Sequence, residues 1–288
     1  MIRYFFFLLM IFSCGSSQET EVSEFVDQPV NIDTKKNLQD DVVFISQIID
    51  GSLVQREVLI EAPDFVDVTK NYPVVIAFHG RNTLNDTWIN KLNRYTSRGD
   101  FIGVYPQGYL KTWNSGGNEP STANDIEFID SVIVELGKYK NLDMERMYGI
   151  GTSNGSSMIN KLAIETSYFK AVSPIVSQLS RSNLPNQNTN PVAVLQINGS
   201  ADTTIPINGG PKLGYVFLDA LESATTWAEA FSCDNFIINK IGDDDIYIFK
   251  NCDDSKEVHY LRIEDGEHNL HWGNPNLFDI VWGFLMRF

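Results

Sequence analysis

Positive charge is scarce in this sequence: 22 Lys and Arg stand against 37 Asp and Glu, a formal charge of −15. That balance speaks against a nucleic-acid partner, because phosphate binding draws its strength from Lys and Arg. Histidine is scarcer still, with four in 288 residues, and cysteine occurs three times. Two histidines, His268 and His271, stand three apart near the C-terminus, but no third and fourth metal ligand accompanies them in a recognisable spacing. The opening apolar run, Tyr4 to Phe12, falls far below the ~20 residues that a membrane-spanning helix needs. Repeats and low-complexity blocks are absent after residue 40. What remains is 43% hydrophobic and 12% aromatic, enough for a sizeable core rather than a disordered chain.

That short run has a different use. Arg3, the apolar segment and the small residues behind it form an export signal. Its end, Ile11-Phe12-Ser13-Cys14, resembles a bacterial lipoprotein signal, in which the cysteine becomes the new N-terminus and carries the lipid. Residues 1–14 are therefore read as signal, with Cys14 as the lipidation site and the membrane as a partner through it. Residues 15–40 are polar and acidic and read as a flexible tether. Residues 41–288 are left as one domain, expected to be monomeric. An exported protein sits where thiols oxidise, so Cys233 and Cys252 are expected to pair. The segment between them reads as two short strands about the turn Gly242-Asp243-Asp244-Asp245, a hairpin whose ends a disulfide would staple.

Along the domain, apolar runs alternate with helical patterns. YPVVIAF (72–78) has the continuous hydrophobicity of a strand buried on both faces. DFIGVYPQG is a second such strand, MERMYGIG a third, FKAVSPIV and PVAVLQI two more, and EVHYLRIE a late one. Ile126, Ile129, Val132, Ile133 and Leu136 recur at helical spacing behind a cap at Thr122 or Asn124. Helices are also expected after Ser153, between Tyr215 and Phe231, and over LFDIVWGFLMRF. The alternation implies an α/β fold with a mostly parallel sheet covered on both faces, so function belongs in the loops after the strands.

The strongest chemical signal lies in one of those loops. Gly151-Thr152-Ser153-Asn154-Gly155 matches G-x-S-x-G, a sharp strand-to-helix turn that lifts a serine hydroxyl clear of the backbone. The pattern alone is weak, with ~0.1 matches expected by chance at average composition. Its position, after an apolar strand and before a helical pattern, strengthens it. Ser153 needs a base and an acid downstream, in the order Ser, Asp, His. His79 precedes the serine and His259 falls inside a strand pattern, which leaves His268 or His271. Asp202, just past the strand PVAVLQI, is the first choice of acid, ahead of Asp265; Asp219 falls inside a helical pattern. The backbone N–H groups of Asn154 and Arg81 are the candidate oxyanion donors.

YPVVIAFHG, VYPQG with Trp113-Asn114 behind it, NDIEFID, RMYGIGTSNGSSM, INGSADTTIPINGG, TTWAEAFSC and DGEHNLHW together resemble the α/β-hydrolase esterases of the polyhydroxybutyrate depolymerase and feruloyl/acetylxylan esterase group, a carbohydrate esterase family 1-like set. They run in family order from about residue 55 to the end. The resemblance implies that His268 is the base; no cofactor is expected, and the spacing of the histidines offers no metal site. It implies a substrate that is a feruloyl or acetyl ester of plant polysaccharide, or a short hydroxyalkanoate polyester. Three positions depart from the group: Ser156 stands where a second glycine is usual, Asn198 where a histidine opens the acid loop, and Asn269-Leu270-His271-Trp272 intervene after the base. Trp113, His271 and Trp272 are candidate pocket residues, though core packing is as good a reading of any one tryptophan. An inactive carbohydrate-binding protein on this fold, and a serine peptidase using the same three residues, are the alternatives.

Overall fold

The structure, a computed structural model, describes residues 35–274 and 276–288, with the side chains of Trp272 and Gly273 outside the description. The signal and Cys14 lie outside the described residues. The tether was expected to reach residue 40, but the packed chain begins earlier. Lys36 pairs with Tyr139 in an isolated parallel bridge, and Leu38 is buried. An apolar residue within bonding reach of the domain packs onto it whatever the polarity of its neighbours.

The chain opens with an antiparallel hairpin, β1 (Asp41–Ile49) and β2 (Ser52–Glu61). Then come β3 (Tyr72–Phe78), α1 (Ile89–Thr96), β4 (Ile102–Pro106), α2 (Asp125–Leu136), β5 (Leu142–Thr152), α3 (Asn154–Glu165), β6 (Ala171–Ile175) and β7 (Ala193–Gly199). A small ribbon of β8 (Gly210–Lys212) and β9 (Tyr215–Phe217) precedes α4 (Ala220–Ala230). The hairpin of β10 (Ile237–Ile241) and β11 (Asp244–Phe249) leads to β12 (Val258–Ile263), the single turn α5 (Leu270–Gly273) and α6 (Leu277–Leu285).

Ten strands form one sheet in the order β1-β2-β4-β3-β5-β6-β7-β12-β11-β10. Its six central strands, β4 to β12 in that order, are parallel, and the flanking pairs are antiparallel. All seven residues of β3 are buried, as its unbroken apolar run predicts. Its alternate residues feed two cores: Val74, Ile76 and Phe78 pack toward α2, α3 and α4, while Val75 and Ala77 pack toward α1 and α6. This is the expected α/β-hydrolase layering, with helices on both faces. None of the described helices is long and apolar enough to cross a membrane.

The helix expected between Tyr215 and Phe231 is α4, with Tyr215–Phe217 ahead of it as β9; Asp219, expected inside the helical pattern, instead caps α4 by accepting from Leu221 N at 2.9 Å and Glu222 N at 3.2 Å. An aspartate at that place competes with the helix interior and favours its start. The cap of α2 falls on Asn124, whose side chain accepts from Glu127 N at 3.3 Å. At the far edge of the sheet, Cys233 and Cys252 are joined by a disulfide across the β10–β11 hairpin.

Candidate active site

The loops that leave the carboxyl ends of β3, β5, β7 and β12 hold the candidate residues. Ser153 sits between β5 and α3 with φ 54° and ψ −119°, a conformation that costs a non-glycine residue about 1–3 kcal/mol. The surroundings impose it. Ser153 N donates to Ile175 O at 3.0 Å, and Ser153 O accepts from Ser156 N at 2.9 Å. A Cβ on Gly151 would lie 2.3 Å from Gly155 O, and one on Gly155 would lie 2.1 Å from Phe78 O. Both glycines are therefore required by the closeness of strand and helix. Ser156, the departure from a second glycine, is fully buried; its hydroxyl lies 2.7 Å from Gly151 O and accepts from Ile175 N at 2.8 Å. The extra side chain fits because it bonds the two strands beside it.

Asp202 follows β7 in a tight turn. Its Oδ1 accepts from Thr204 N at 2.8 Å and Ile205 N at 2.9 Å, which holds the carboxylate in one orientation. His268 Nδ1 lies 2.7 Å from Asp202 Oδ2, and His268 Nε2 lies 2.9 Å from Ser153 Oγ. With Nδ1–H donating to the carboxylate, Nε2 is left with a lone pair facing the serine hydroxyl. Asp265, the alternative acid, is exposed at the end of its loop. Asn198 is buried and donates to Gln178 Oε1 at 3.0 Å, so the residue that replaces histidine in the acid loop is satisfied inside the fold.

The loop after β3 closes over the serine. A Cβ on Gly80 would lie 3.5 Å from Ser153 Cβ, so the loop that carries Arg81 packs against the serine. Asn154 is the first residue of α3, so its amide lies outside the helical ladder. His79 is buried and structural: Gly108 N donates to its Nε2 at 2.9 Å, and its Nδ1 lies 2.8 Å from Gly80 O. Burial pushes its pKa down to about 4.

One residue of the site carries no signal in the sequence. Glu119, in the polar loop before α2, has a side chain 1% exposed and lies 3.5 Å from the Arg81 guanidinium. It also accepts from Asn154 Nδ2 at 3.2 Å, from Gly117 N at 2.7 Å and from the Tyr215 hydroxyl. It thus ties together the segments that carry Arg81 and Asn154. No periodicity or motif marks a lone glutamate in a loop.

Trp113 does not line a cleft. It is fully buried, donates from Nε1 to His79 O at 2.9 Å, and packs edge-on against Phe78. Its own amide donates to Asn154 Oδ1 at 2.7 Å, so it supports the turn from behind. A large ring adjacent to β3 gains more by burial than by contact with solvent. His271 stands in α5 and lines a cavity with Ser153 and His268. Burial, with Lys91 and His268 nearby, pushes its pKa down to about 3.

Two cavities flank Ser153. One, of about 210 Å³, is lined by Thr83, Thr87, Lys91, His268 and His271 among others. The other, of about 200 Å³, is lined by Glu119, Thr204, Ile205, Leu213, Tyr215 and Phe217. Arg81 and Ser153 border both.

No protein-family profile matches the chain. It is similar to a protein named "Probable feruloyl esterase C" from Aspergillus clavatus, 26% identical over 243 residues, which is 80% of this chain and 83% of that one. Among solved structures it resembles an acetyl xylan esterase from Aspergillus awamori, with a TM-score of 0.61 at 14% identity, covering 85% of this chain and 99% of the other. A thermostable esterase aligns with a TM-score of 0.58 at 17% identity, covering 86% of this chain and 63% of that one. The layered sheet, the turn at Ser153 and these relatives agree: the chain has the α/β-hydrolase fold and is similar to feruloyl and acetyl xylan esterases.

Proposed function

We propose that the chain is an exported serine esterase that works through an acyl-enzyme, with Ser153 as nucleophile, His268 as general base and acid, and Asp202 as the group that orients it. The observation that carries this reading is the continuous hydrogen-bonded line from Asp202 Oδ2 through His268 to Ser153 Oγ, at 2.7 and 2.9 Å. As Ser153 Oγ attacks the ester carbonyl, its proton passes to His268 Nε2. The negative charge that develops on the carbonyl oxygen is taken by the Arg81 and Asn154 amides. Such donors are typically worth about 3–4 kcal/mol each. Imidazolium then protonates the leaving alcohol, and water repeats the cycle to free the acid.

The acyl half is assigned to the cavity of Ile205, Leu213, Tyr215 and Phe217. Its apolar wall and aromatic rings suit a feruloyl, acetyl or hydroxyalkanoyl group. The alcohol belongs to a plant polysaccharide or a short polyester. Export and lipidation at Cys14 are part of the proposal, supported by the N-terminal sequence and by a disulfide of the kind that persists in oxidising compartments.

The test is labelling of the purified soluble domain with a fluorophosphonate probe, followed by assay on feruloyl, acetyl, 3-hydroxybutyryl and peptide substrates. Labelling and ester turnover lost together in Ser153→Ala are expected. Labelling that survives Ser153→Ala would overturn the assignment of the nucleophile, and cleavage of the peptides alone would overturn the ester reading.

A further inference from the structure

We propose that the groove between the β1–β2 hairpin and the segment 83–88 holds the neutral polysaccharide chain whose ester Ser153 cleaves, beyond the sugar that carries the ester. The inference rests on the reading above, in which the alcohol belongs to a polysaccharide and His268 returns its proton.

The direction of proton flow sets which way the polymer runs. His268 takes the serine proton at Nε2 and must hand it to the departing alkoxide. The alcohol therefore leaves on the side of the imidazole, through the cavity that Thr83, Thr87 and His268 border. At about 210 Å³ this cavity is smaller than the ~300 Å³ at the lower end of ordinary small-molecule pockets, so it suits one sugar. The next sugars of a polymer must lie outside it. Thr83 and Thr87 border the cavity, whereas Leu84, Asn85 and Asp86, from the same segment, border a groove of about 560 Å³. One thin wall, ending in the 3-10 turn Asn85–Trp88, stands between the two spaces, and a chain that leaves the cavity over it enters the groove.

The groove offers acceptors for hydroxyls. In β2, Val58 and Ile60 turn into the core, so Gln55, Glu57 and Leu59 point the opposite way and line the groove. The buried Asn85 donates from Nδ2 to Glu57 Oε1 at 3.2 Å and from its amide to Gln107 Oε1 at 3.0 Å. Gln107 Nε2 lies 2.8 Å from His79 Nε2, which ties this wall to the start of the loop that packs against Ser153. Among the described hydrogen bonds Glu57 uses Oε1, so Oε2 is there to accept from a sugar hydroxyl.

The groove also offers faces for rings. Across the hairpin Phe44 pairs with Glu57 and Val42 with Leu59, so both stand on the face that lines the groove, 59% and 50% exposed. Tyr109 and Leu84 border it as well. Apolar side chains gathered in the open on one face mark a surface that meets a ligand. Sugar rings present apolar C–H faces with hydroxyl rims, which match aromatic side chains set beside carboxylates and amides. Charge narrows the polymer further. Arg56, the cation among the lining residues, is buried and bound to Asp125 at 2.7 Å. Glu57 and Asp86 give the lining a negative sign on a chain that already carries −15, so a uronic-acid polymer is repelled and a neutral one is not.

The experiment runs the full enzyme in native gels cast with deacetylated xylan, deacetylated glucomannan or polygalacturonate. Retardation by at least one neutral polymer, and none by polygalacturonate, is expected, and the double variant Phe44→Ser, Tyr109→Ala should lose most of it. The acetylated form of the retarding polymer then serves as substrate beside 4-nitrophenyl acetate, which is too small to reach the groove. The ratio of the two kcat/KM values, polymer over small ester, should fall about tenfold or more in the double variant. Damage to the fold would lower both activities and leave that ratio in place. Absence of retardation by both neutral polymers, equal retardation by polygalacturonate, or a double variant that leaves either the retardation or the ratio unchanged overturns the proposal. A dimer that Phe44→Ser dissolves, in an enzyme no polymer retards, would give the face to a second copy and overturn it too. Retardation that the double variant abolishes, in a protein that takes no fluorophosphonate and turns over no ester, would uphold the groove as a glycan site and overturn the esterase reading instead.

Discussion

Gly199 and Gly266 meet backbone to backbone: a Cβ on Gly199 would lie 2.0 Å from Gly266 O, and Ala201 N donates to that same oxygen at 2.9 Å. The contact locks the loop that carries Asp202 against the loop that carries His268. Neither glycine has a positive φ, so the requirement is space alone. Gly199→Ala must part the two loops, because both partners are main chain. We expect about 1–3 kcal/mol of destabilisation, a Tm lowered by several degrees, and a fall in kcat beyond tenfold. A variant with wild-type kcat would show that the loops can part without moving the acid from the base.

Glu119 joins Arg81, Asn154 and Tyr215, and so braces the segments whose amides are proposed to take the oxyanion charge. Glu119→Gln keeps the volume and removes the charge. A loss of tenfold to a hundredfold in kcat is expected, less than the removal of a whole oxyanion donor, with a smaller change in KM. A change confined to KM would assign Glu119 to substrate contact instead.

The fold was legible where one physical signal dominated. Unbroken apolar runs gave β3 and β4, and the turn pattern at Ser153 needed only its flanking strand and helix. Asp202 and His268 were reached by position in the strand order and by resemblance, and the structure brings them together with Ser153. Trp113 was left open between pocket and core because an aromatic behind a strand looks the same whether it lines a cleft or backs a turn. Glu119 was not legible at all: its importance comes from partners at positions 81, 154 and 215, and such long-range convergence leaves no local pattern.

Stability should fall in mild acid through His79. Its folded pKa, pushed down to about 4, lies below the ~6.5 of an unfolded histidine, so the unfolded chain binds the proton first. The neutral ring's contribution is complete above pH ~6.5 and declines as the pH drops toward 4. At most about 3 kcal/mol is at stake, since the Gly108 amide would lose its acceptor on protonation. Urea midpoints between pH 7 and 4.5 measure the slope, and His79→Gln should flatten it. An equal slope in that variant would assign the acid sensitivity to other groups.

The Cys233–Cys252 disulfide closes a loop of separation 19 at the sheet edge farthest from β3. Loop-closure entropy assigns it about 3 kcal/mol. The double variant Cys233→Ser, Cys252→Ser should melt about 6–12 °C lower, while kcat at 25 °C stays within about twofold. A collapse of kcat at a temperature where the variant is fully folded would mean that the hairpin supports the base through β12.

The two neighbouring histidines should answer differently to the same substitution. His268 bonds both Asp202 and Ser153, whereas His271 borders the cavity and its pKa is pushed down to about 3, so it stays neutral and cannot serve as a base that cycles near neutral pH. His268→Ala removes the only imidazole within 2.9 Å of Ser153 Oγ among the described hydrogen bonds, and should lower kcat by about three to four orders of magnitude. His271→Ala widens the alcohol side and should raise KM several-fold with kcat changed by less than tenfold. Steady-state kinetics on one chromogenic ester suffices to compare them. Equal losses of kcat, or the greater loss in His271→Ala, would move the proton transfer to the second histidine, and the line from Asp202 to Ser153 would then be a resting arrangement that substrate rearranges.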